Sequence, residues 1–292
     1  MMNVGNVGII GAGKVGVSTG FMMKRSGIAV RAISDVLDAS LDTARRYLAE
    51  DVAYTKSNLD VVRTCDVIAI TTQDRIIKDV VGEIDAGMGS LDGKMFFHTS
   101  GADPSSILKP LDEKGALLGS LHPLQTFPDI DSAITVLPDT YIFIEGDEGA
   151  LKTLTFIGEK IGYRVQMIGG NDKVLYHLSA VFVCNLLCAL CYTGEKIMDT
   201  INIDLEPFLP IIRATLKNIE NKGPLMSLTG PVIRGDLKTV EAHLQAIHDM
   251  EDYKDVYKTL SRIALKMTQE RKILDEETIR QLKSVLGGKA GE

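Results

Sequence analysis

Six residues near the start of the chain have the types and spacing of a phosphate-binding loop: Gly11-Ala12-Gly13-Lys14-Val15-Gly16. They follow a short apolar run and open a helical pattern, which is the context that such a loop needs. The first glycine permits a tight turn, the second lets the backbone approach a pyrophosphate, and the third lets the helix pack against the strand. The helix N-terminus offers free N–H groups to the phosphates. We therefore predict that this loop binds a dinucleotide, NAD or NADP.

An acidic residue bears on the choice between these two cofactors. Asp35 follows Gly16 by 19 residues, a position where a carboxylate accepts hydrogen bonds from ribose hydroxyls. A carboxylate repels a 2′-phosphate, so Asp35 favours NAD. Ser34 and Arg31 point the other way, because a hydroxyl and a guanidinium can bind a phosphate. The alternative is a plain strand-to-helix turn in which Asp35 is a solvated loop acid.

Polar residues also follow three later apolar runs. Thr72 and Gln73 come after one run, Ser100 after the next, and His122 after a third. Ligands of open α/β sheets bind at the carboxyl ends of the strands, so these side chains are candidates to contact cofactor or substrate. Ser100 is alternatively a turn or helix-capping residue. His122 is either an acid or base of the reaction, for which its ordinary pKa near 6.5 suits it, or a structural histidine bonded to a loop carbonyl.

A second group of candidates lies at the start of a long apolar helix. Lys173 and His177 are four residues apart and therefore share a helix face, and Asn185 lies two turns further on nearly the same face. This cluster either lines the active site or packs internally. Farther along, Arg234 either clamps an anionic substrate or pairs with Asp236.

The spacing of the three cysteines in the long helix does not indicate a metal cluster. Cys184, Cys188 and Cys191 form one stripe of an apolar helix, whereas a cluster-binding loop needs exposed thiolates. His243 and His248 read as residues of surface helices. We predict no metal site.

The elements that position these residues change in character near the middle of the chain. Up to about residue 168, short apolar strands alternate with helical segments, which predicts βαβ units and a mostly parallel sheet of the Rossmann type. After Gly169-Gly170, strand patterns stop and long helical patterns follow. We predict an α/β protein with a dinucleotide-binding domain over 1–168 and an all-helical domain over 169–292.

Composition excludes some classes of function. The 292 residues carry a net charge of −7, which disfavours a general nucleic-acid binder. The N-terminus lacks the pattern of a signal peptide, so we expect a cytoplasmic protein. The apolar run 174–192 has nearly the length of a membrane span, but it carries His177, Ser179 and Asn185, which are costly in lipid. A buried central helix, in a dimer interface for example, is the interpretation that we favour over a membrane span.

Further segments resemble a known family along nearly the whole chain. They are DVIAITTQD (66–74), HTSGA (98–102), LHPLQTF (121–127), Tyr176-His177 with Asn185, and LTGPVIRGD (228–236) with His243 beyond. Together they resemble predicted oxidoreductases with an N-terminal Rossmann-like domain and a C-terminal helical domain of unknown function. That family is a distant relative of pyrroline-5-carboxylate reductases and β-hydroxyacid dehydrogenases.

The resemblance implies a homodimer whose helical domains pack together, with the active site between the domains of each chain. It also implies that the loop at Thr72 and Gln73 runs over the nicotinamide. In β-hydroxyacid dehydrogenases a lysine at the position of Lys173 donates the proton, but His177 stands here where those enzymes have asparagine. The resemblance names no substrate.

We therefore expect an NAD(P)-dependent oxidoreductase that transfers a hydride to or from a small, anionic keto, hydroxy or imino compound. The alternative is a dinucleotide-binding sensor or regulatory protein without catalysis. Polar residues on both sides of the expected cleft favour the enzyme.

Overall fold

The computed structural model describes residues 4–138 and 140–287. Within them one sheet has eight strands in the order β3-β2-β1-β4-β5-β6-β7-β8. The strands are β1 Val7–Ile10, β2 Val30–Ser34, β3 Ala53–Thr55, β4 Val67–Ile70, β5 Met95–His98, β6 Leu117–Pro123, β7 Tyr141–Gly146 and β8 Arg164–Met167. All neighbours pair in parallel except β6 and β7, which are antiparallel. The predicted Rossmann-type, mostly parallel sheet is confirmed.

Helices cover both faces of this sheet, and adjacent residues of the central strands therefore point into two separate cores. Phe97 packs in one apolar cluster and Phe96 in the other, as expected for strands that are buried on both faces. The helices of this part are α1 Lys14–Arg25, α2 Asp38–Leu48, α3 Asn58–Thr64, α4 Asp74–Gly87, α5 Lys109–Asp112, α6 Ile130–Val136, α7 Glu148–Ile161 and α8 Lys173–Ala180.

One strand, β3, is not predicted by the pattern of apolar runs. β3 has three residues, none of them fully buried, so it lacks the apolar run by which the other strands are recognised. It extends the sheet beyond β2 and places Thr55 beside Asp35, whose N–H donates to the Thr55 carbonyl at 3.2 Å.

The rest of the described chain is helical. A π-helical turn, Val181–Asn185, separates α8 from α9, and the chain stays helical from Gly170 to Asp199. The remaining helices are α9 Leu186–Asp199, α10 Leu209–Ser227, α11 Pro231–Arg234, α12 Leu237–Ala246, α13 Glu251–Glu270 and α14 Glu276–Val285. The short helix α11 begins at Pro231, because proline is well suited to the first helical position.

The chain divides into two compact units, the first ending at Val183 and the second beginning at Cys184. The sequence pattern places the boundary near Gly169 instead. The difference arises because α8 packs onto the sheet: Tyr176 stacks on Phe143 of β7 with ring centroids 4.2 Å apart. The second unit has a core of its own, formed by Val232, Val240, Leu265, Leu282 and Leu286.

The helical region Gly170–Asp199 is long and apolar enough to cross a membrane, with a mean hydropathy of 2.0 over its most apolar window, none of which is buried within the chain. Its exposed apolar residues include Val174, Leu178, Phe182, Val183, Leu186, Leu190 and Tyr192. α10 likewise exposes Ile211, Leu216, Ile219 and Met226. These apolar faces are exposed in the single chain.

Candidate active site

The glycine loop leaves an open space in front of α1. Gly11 has φ +105° and donates its N–H to the Ser34 carbonyl at 2.8 Å. A Cβ at Gly16 would overlap the Gly11 carbonyl oxygen and Thr71 Oγ1, whereas a Cβ at Gly13 would meet nothing within 4 Å. No side chain caps α1, which begins at Lys14. The loop thus offers uncapped N–H groups to a phosphate, and Val15 within it is half-buried.

Asp35 closes one side of this loop. Its carboxylate accepts the N–H of Ala12 at 2.8 Å and that of Leu37 at 2.9 Å, so it is firmly placed beside the glycine turn. The Ser34 hydroxyl is buried and donates to Asn58 Oδ1 at 2.7 Å. Arg31 lies near the amino end of β2, where its guanidinium is 3.6 Å from Asp51. The side chains of Ser34 and Arg31 are therefore not placed to bind the 2′-phosphate of an NADP beside Asp35.

Thr72 and Gln73 follow β4, next to β1 in the sheet. Thr72 Oγ1 is buried and has no hydrogen-bond partner within the described residues, which suits a hydroxyl that awaits a ligand. Gln73 precedes α4, and its Oε1 accepts from Arg75 Nε at 3.0 Å. Of these two predicted cofactor contacts, Thr72 has the stronger structural support.

Ser100 is a turn residue after β5. Its Oγ accepts the N–H of Asp103 at 3.0 Å and that of Ala102 at 3.3 Å, and only 3% of the residue is exposed. The backbone N–H of Ser100 donates to Nδ1 of His98 at 3.1 Å, so the His98 proton lies on Nε2 and is donated to the Pro104 carbonyl at 3.2 Å. Burial lowers the pKa of His98 to about 3. The loop after β5 is thus held by hydrogen bonds from its own backbone and from His98.

Lys173 lies inside the first unit, with 1% of the residue exposed. Its ammonium group donates to the Ser100 carbonyl at 2.9 Å and to the Ser120 hydroxyl, and it lies 3.9 Å from Oε1 of Glu145. Burial lowers the pKa of Lys173 to about 8, against the opposing effect of the Glu145 carboxylate. The lysine therefore ties α8 to the ends of β5 and β6 through protein acceptors.

Glu145 is a buried charged residue beside Lys173 that the sequence motifs do not include. It lies opposite Ser120 in the antiparallel pair of β6 and β7, and only 7% of it is exposed. The Ser105 N–H and hydroxyl donate to its two carboxylate oxygens at 2.5 and 2.7 Å. A lone acid that ends the apolar strand run Tyr141–Ile144 is the signal that could have identified it, because buried carboxylates are rarely unpaired.

Two histidines converge over Gly101. A Cβ at Gly101 would lie 2.6 Å from Nδ1 of His177 and 2.8 Å from Nε2 of His122, and the two rings meet edge to face with centroids 6.1 Å apart. His177 Nδ1 has no hydrogen-bond partner within the described residues. Nδ1 of His122 lies 2.8 Å from the hydroxyl of Tyr176, a residue to which the sequence motifs assign no role.

Two predicted site residues belong to the second unit. Asn185 is the last residue of the π-helical turn, and Arg234 is exposed at the end of α11. Asp236 caps α12 by accepting the N–H of Thr239 at 3.1 Å, so its main partner is the helix rather than Arg234. Asn185 stays a prediction.

The strand order arranges the first-unit residues along one edge of the sheet. β1, β4, β5 and β6 are consecutive and parallel, so the glycine loop, Thr72 and Gly101 follow the carboxyl ends of β1, β4 and β5, and His122 lies near the carboxyl end of β6. Neighbouring strands are about 4.8 Å apart. A dinucleotide with its pyrophosphate at the glycine loop would therefore point its other half toward the two histidines.

Two family models match the chain, and the second match includes β7 and β8 as well as helices of the second unit. Residues 3–123 match the model of a Rossmann-like domain, and residues 140–264 match that of a domain of unknown function, DUF2520. A comparison with curated protein sequences finds no significant match.

Solved structures share this fold over most of their length. A Bacteroides fragilis protein described as an NADP oxidoreductase is 21% identical, with 88% of this chain and 96% of that chain covered and a TM-score of 0.74. A Thermotoga maritima protein is 25% identical, with 91% and 99% covered and a TM-score of 0.69. A reductive aminase from Aspergillus terreus, in complex with NADPH and ethyl-5-oxohexanoate, is 14% identical, with 94% and 98% covered and a TM-score of 0.69.

The motifs, the sheet order and the two family models agree on the organisation of this chain. Its N-terminal part is similar to a Rossmann-like domain, and residues 140–264 are similar to the domain of unknown function DUF2520.

Proposed function

We propose that this protein is an NAD(P)-dependent oxidoreductase that reduces a small keto or imino compound, or oxidises the corresponding product. The observation that carries the proposal is the alignment of an open, uncapped glycine loop with two converging histidines along one edge of a parallel sheet. The similar structures described as an NADP oxidoreductase and as a reductive aminase with NADPH support the same class of reaction.

The residues at the loop fit a dinucleotide. The N–H groups at the start of α1 and the open space at Gly13 would hold the pyrophosphate, and the carboxylate of Asp35 would accept from the adenosine ribose. Thr72 would supply a hydroxyl nearer the nicotinamide. The carboxylate of Asp35 leads us to favour NAD. The names of the two similar structures mention NADP and NADPH instead, so every assay should include both cofactors.

His177 is the proton donor that the geometry favours. A bound NAD(P)H supplies the hydride to the substrate carbon, and the oxygen or nitrogen of the substrate must then gain a proton. Nδ1 of His177 has no hydrogen-bond partner within the described residues and lies beside Gly101, whereas the ammonium group of Lys173 is already bonded to protein groups. We assign Lys173 to positioning the loop of Ser100 and α8.

The test is a screen of keto acids, aldehydes and imines by nicotinamide absorbance, followed by substitution of His177. General acids contribute about 10²–10⁴-fold in rate, so His177→Ala should lower turnover by that order with little change in cofactor affinity. His248→Ala, at an exposed surface histidine, is the control. Cofactor binding without turnover of any compound would favour the sensor function instead.

We further propose that a second copy of the chain covers the apolar faces of α8, α9 and α10. Tyr176 contacts Phe143 of β7, and His177 contacts His122 of β6. Charged residues begin at Glu195, so only residues 178–194 are available to cross a bilayer. At 1.5 Å per residue they span roughly 25 Å, less than the hydrocarbon core of about 30 Å. Asn185 lies in the middle of this segment. A dimer would cover the apolar surface without stretching a short segment across the bilayer and without placing Asn185 in lipid.

Sedimentation at micromolar concentration tests the dimer. Leu190→Glu, on the exposed face of α9, should give monomers, while Ile273→Glu, at an exposed apolar residue outside these helices, should not. A monomeric wild-type chain would refute the dimer, and its co-sedimentation with phosphatidylcholine–phosphatidylglycerol vesicles would favour a membrane contact.

A further inference from the structure

One peptide group of the glycine loop, the group between Gly11 and Ala12, is held at both ends by side chains from neighbouring strands. Its carbonyl oxygen, on Gly11, accepts the hydroxyl of Thr71 at 2.7 Å. Its N–H, on Ala12, donates to the carboxylate of Asp35 at 2.8 Å. Thr71 follows β4 and Asp35 follows β2, the strands on either side of β1. The peptide group is therefore fixed from both sides of the strand that carries the loop.

The hydroxyl of Thr71 is committed to the Gly11 carbonyl. A hydroxyl has one proton to donate, and the other carbonyl within its reach, that of Ile10, is farther away at 3.2 Å. The Ile10 carbonyl already accepts the backbone N–H of Thr71 at 2.8 Å. Only 8% of Thr71 is exposed, so little water competes with Gly11 for the hydroxyl proton.

The third glycine of the loop leaves room for this hydrogen bond. A Cβ at Gly16 would overlap both the Thr71 hydroxyl oxygen and the Gly11 carbonyl oxygen, which are the two atoms that the hydrogen bond joins. Any side chain at Gly16 would push these atoms apart. Thr71 and Gly16 therefore act on the same carbonyl, which one of them holds and the other leaves undisturbed.

Fixing this peptide group determines which N–H groups remain for a phosphate. A peptide group is planar, so holding its C=O and its N–H together sets its orientation. Glycine restricts its own backbone least of all residues, so at Gly11, where φ is +105°, the restraint comes from Thr71 and Asp35. The Ala12 N–H is used by Asp35. The uncapped N–H groups that follow, at Gly13 and the start of α1, are the ones left for the phosphate.

We propose that Thr71 is a positioning residue of the cofactor site, which holds the glycine loop through the Gly11 carbonyl in the conformation that binds the pyrophosphate. This inference rests on the proposed function and adds to it a residue outside the glycine loop. A site that is only partly in its binding-competent conformation loses apparent affinity by that fraction. Without the Thr71 hydroxyl, affinity for NADH and NADPH should fall by the same factor, about tenfold. That factor corresponds to about 1.4 kcal/mol, which is within the range of one hydrogen bond.

Thr71→Ser and Thr71→Ala isolate the hydroxyl, because both lack the methyl group of threonine and only serine keeps the donor. Isothermal titration calorimetry with NADH, NADPH and ADP-ribose should give Kd values about tenfold higher for Thr71→Ala than for Thr71→Ser. ADP-ribose carries the diphosphate but no nicotinamide, so an equal loss for all three ligands is expected of an effect at the pyrophosphate. Thr71→Val also lacks the donor but keeps the size of the side chain, and it should lose at least as much affinity.

The second unit offers a matched control. Thr268 is buried, and its hydroxyl likewise donates to a backbone carbonyl, that of Ala264, at 2.9 Å. Thr268→Ala should lower the free energy of unfolding in urea, as Thr71→Ala should, but should leave the three Kd values unchanged. The comparison separates positioning of the loop from a contribution to stability alone.

Equal Kd values for Thr71→Ser and Thr71→Ala, or a loss confined to one of the two cofactors, would overturn the inference and leave the reductase function standing. The expected pattern of Kd values without turnover of any compound would support the inference and favour the sensor function. A wild-type chain that binds none of the three ligands would refute the proposed function and the inference with it.

Discussion

Gly13→Val separates cofactor binding from folding. Gly13 has φ −76° and ψ −175°, an extended conformation that valine adopts without strain. A Cβ at this position meets nothing within 4 Å, so the fold should be kept. The branched side chain would instead fill the space in front of α1, where the pyrophosphate is expected.

The size of the effect follows from the hydrogen bonds that would be lost. A hydrogen bond to a charged group contributes about 1.5–3 kcal/mol, so displacing the pyrophosphate from two N–H groups of α1 costs at least about 3 kcal/mol. Since about 1.4 kcal/mol is a factor of ten in Kd, affinity for NADH and NADPH should fall by roughly 100-fold or more.

Titration of both cofactors by fluorescence measures this loss, with circular dichroism to verify the fold. Gly89→Val is the matched control, because Gly89 is also exposed and open to a Cβ but lies beyond α4, away from the loop. An unchanged Kd for both cofactors in a folded Gly13→Val protein would refute the assignment of the glycine loop.

Three further predictions concern charge. Asp35→Ser should raise the affinity for NADPH relative to NADH, measured in the same titrations, and a wild type that already strongly prefers NADPH would contradict the role of Asp35. Lys173→Met should lower the free energy of unfolding, measured in urea, by about 3–5 kcal/mol, because it leaves the buried Glu145 carboxylate without its counter-charge. The double variant Lys173→Met/Glu145→Gln should recover part of the lost stability. Strictly additive effects of the two substitutions would argue against an interaction between Lys173 and Glu145. Because the pKa of His122 is lowered from 6.5 to about 4, the unfolded chain binds a proton in this range that the native chain does not. The free energy of unfolding should therefore decrease as the pH is lowered from about 6.5 to 4, and this group should contribute a slope of up to about 1.4 kcal/mol per pH unit. A wild-type slope no steeper than that of His122→Gln would contradict this.

Local pattern was sufficient for the first unit's main elements. Apolar runs such as Val67–Ile70 are long enough to mark buried strands, and the glycine loop carries its own geometric requirement, since Gly16 leaves no room for a Cβ beside Gly11. Such signals depend on neighbours within a few residues, so they can be read along the chain. The three-residue strand β3 has no such signal and was missed.

The chemical roles of the site residues depended on partners that are distant in sequence. Lys173 lies four residues before His177 on a common helix face, yet its ammonium group is bonded to Ser100 and Ser120, 73 and 53 residues away. Tyr176 becomes significant only because β6 brings His122 within hydrogen-bond distance of it. The sequence by itself determined which residue types reach this edge of the sheet. The tertiary structure decided which of them are buried and hydrogen-bonded within the protein and which face open space, because burial and hydrogen-bond partners are properties of packing between elements and leave no local pattern.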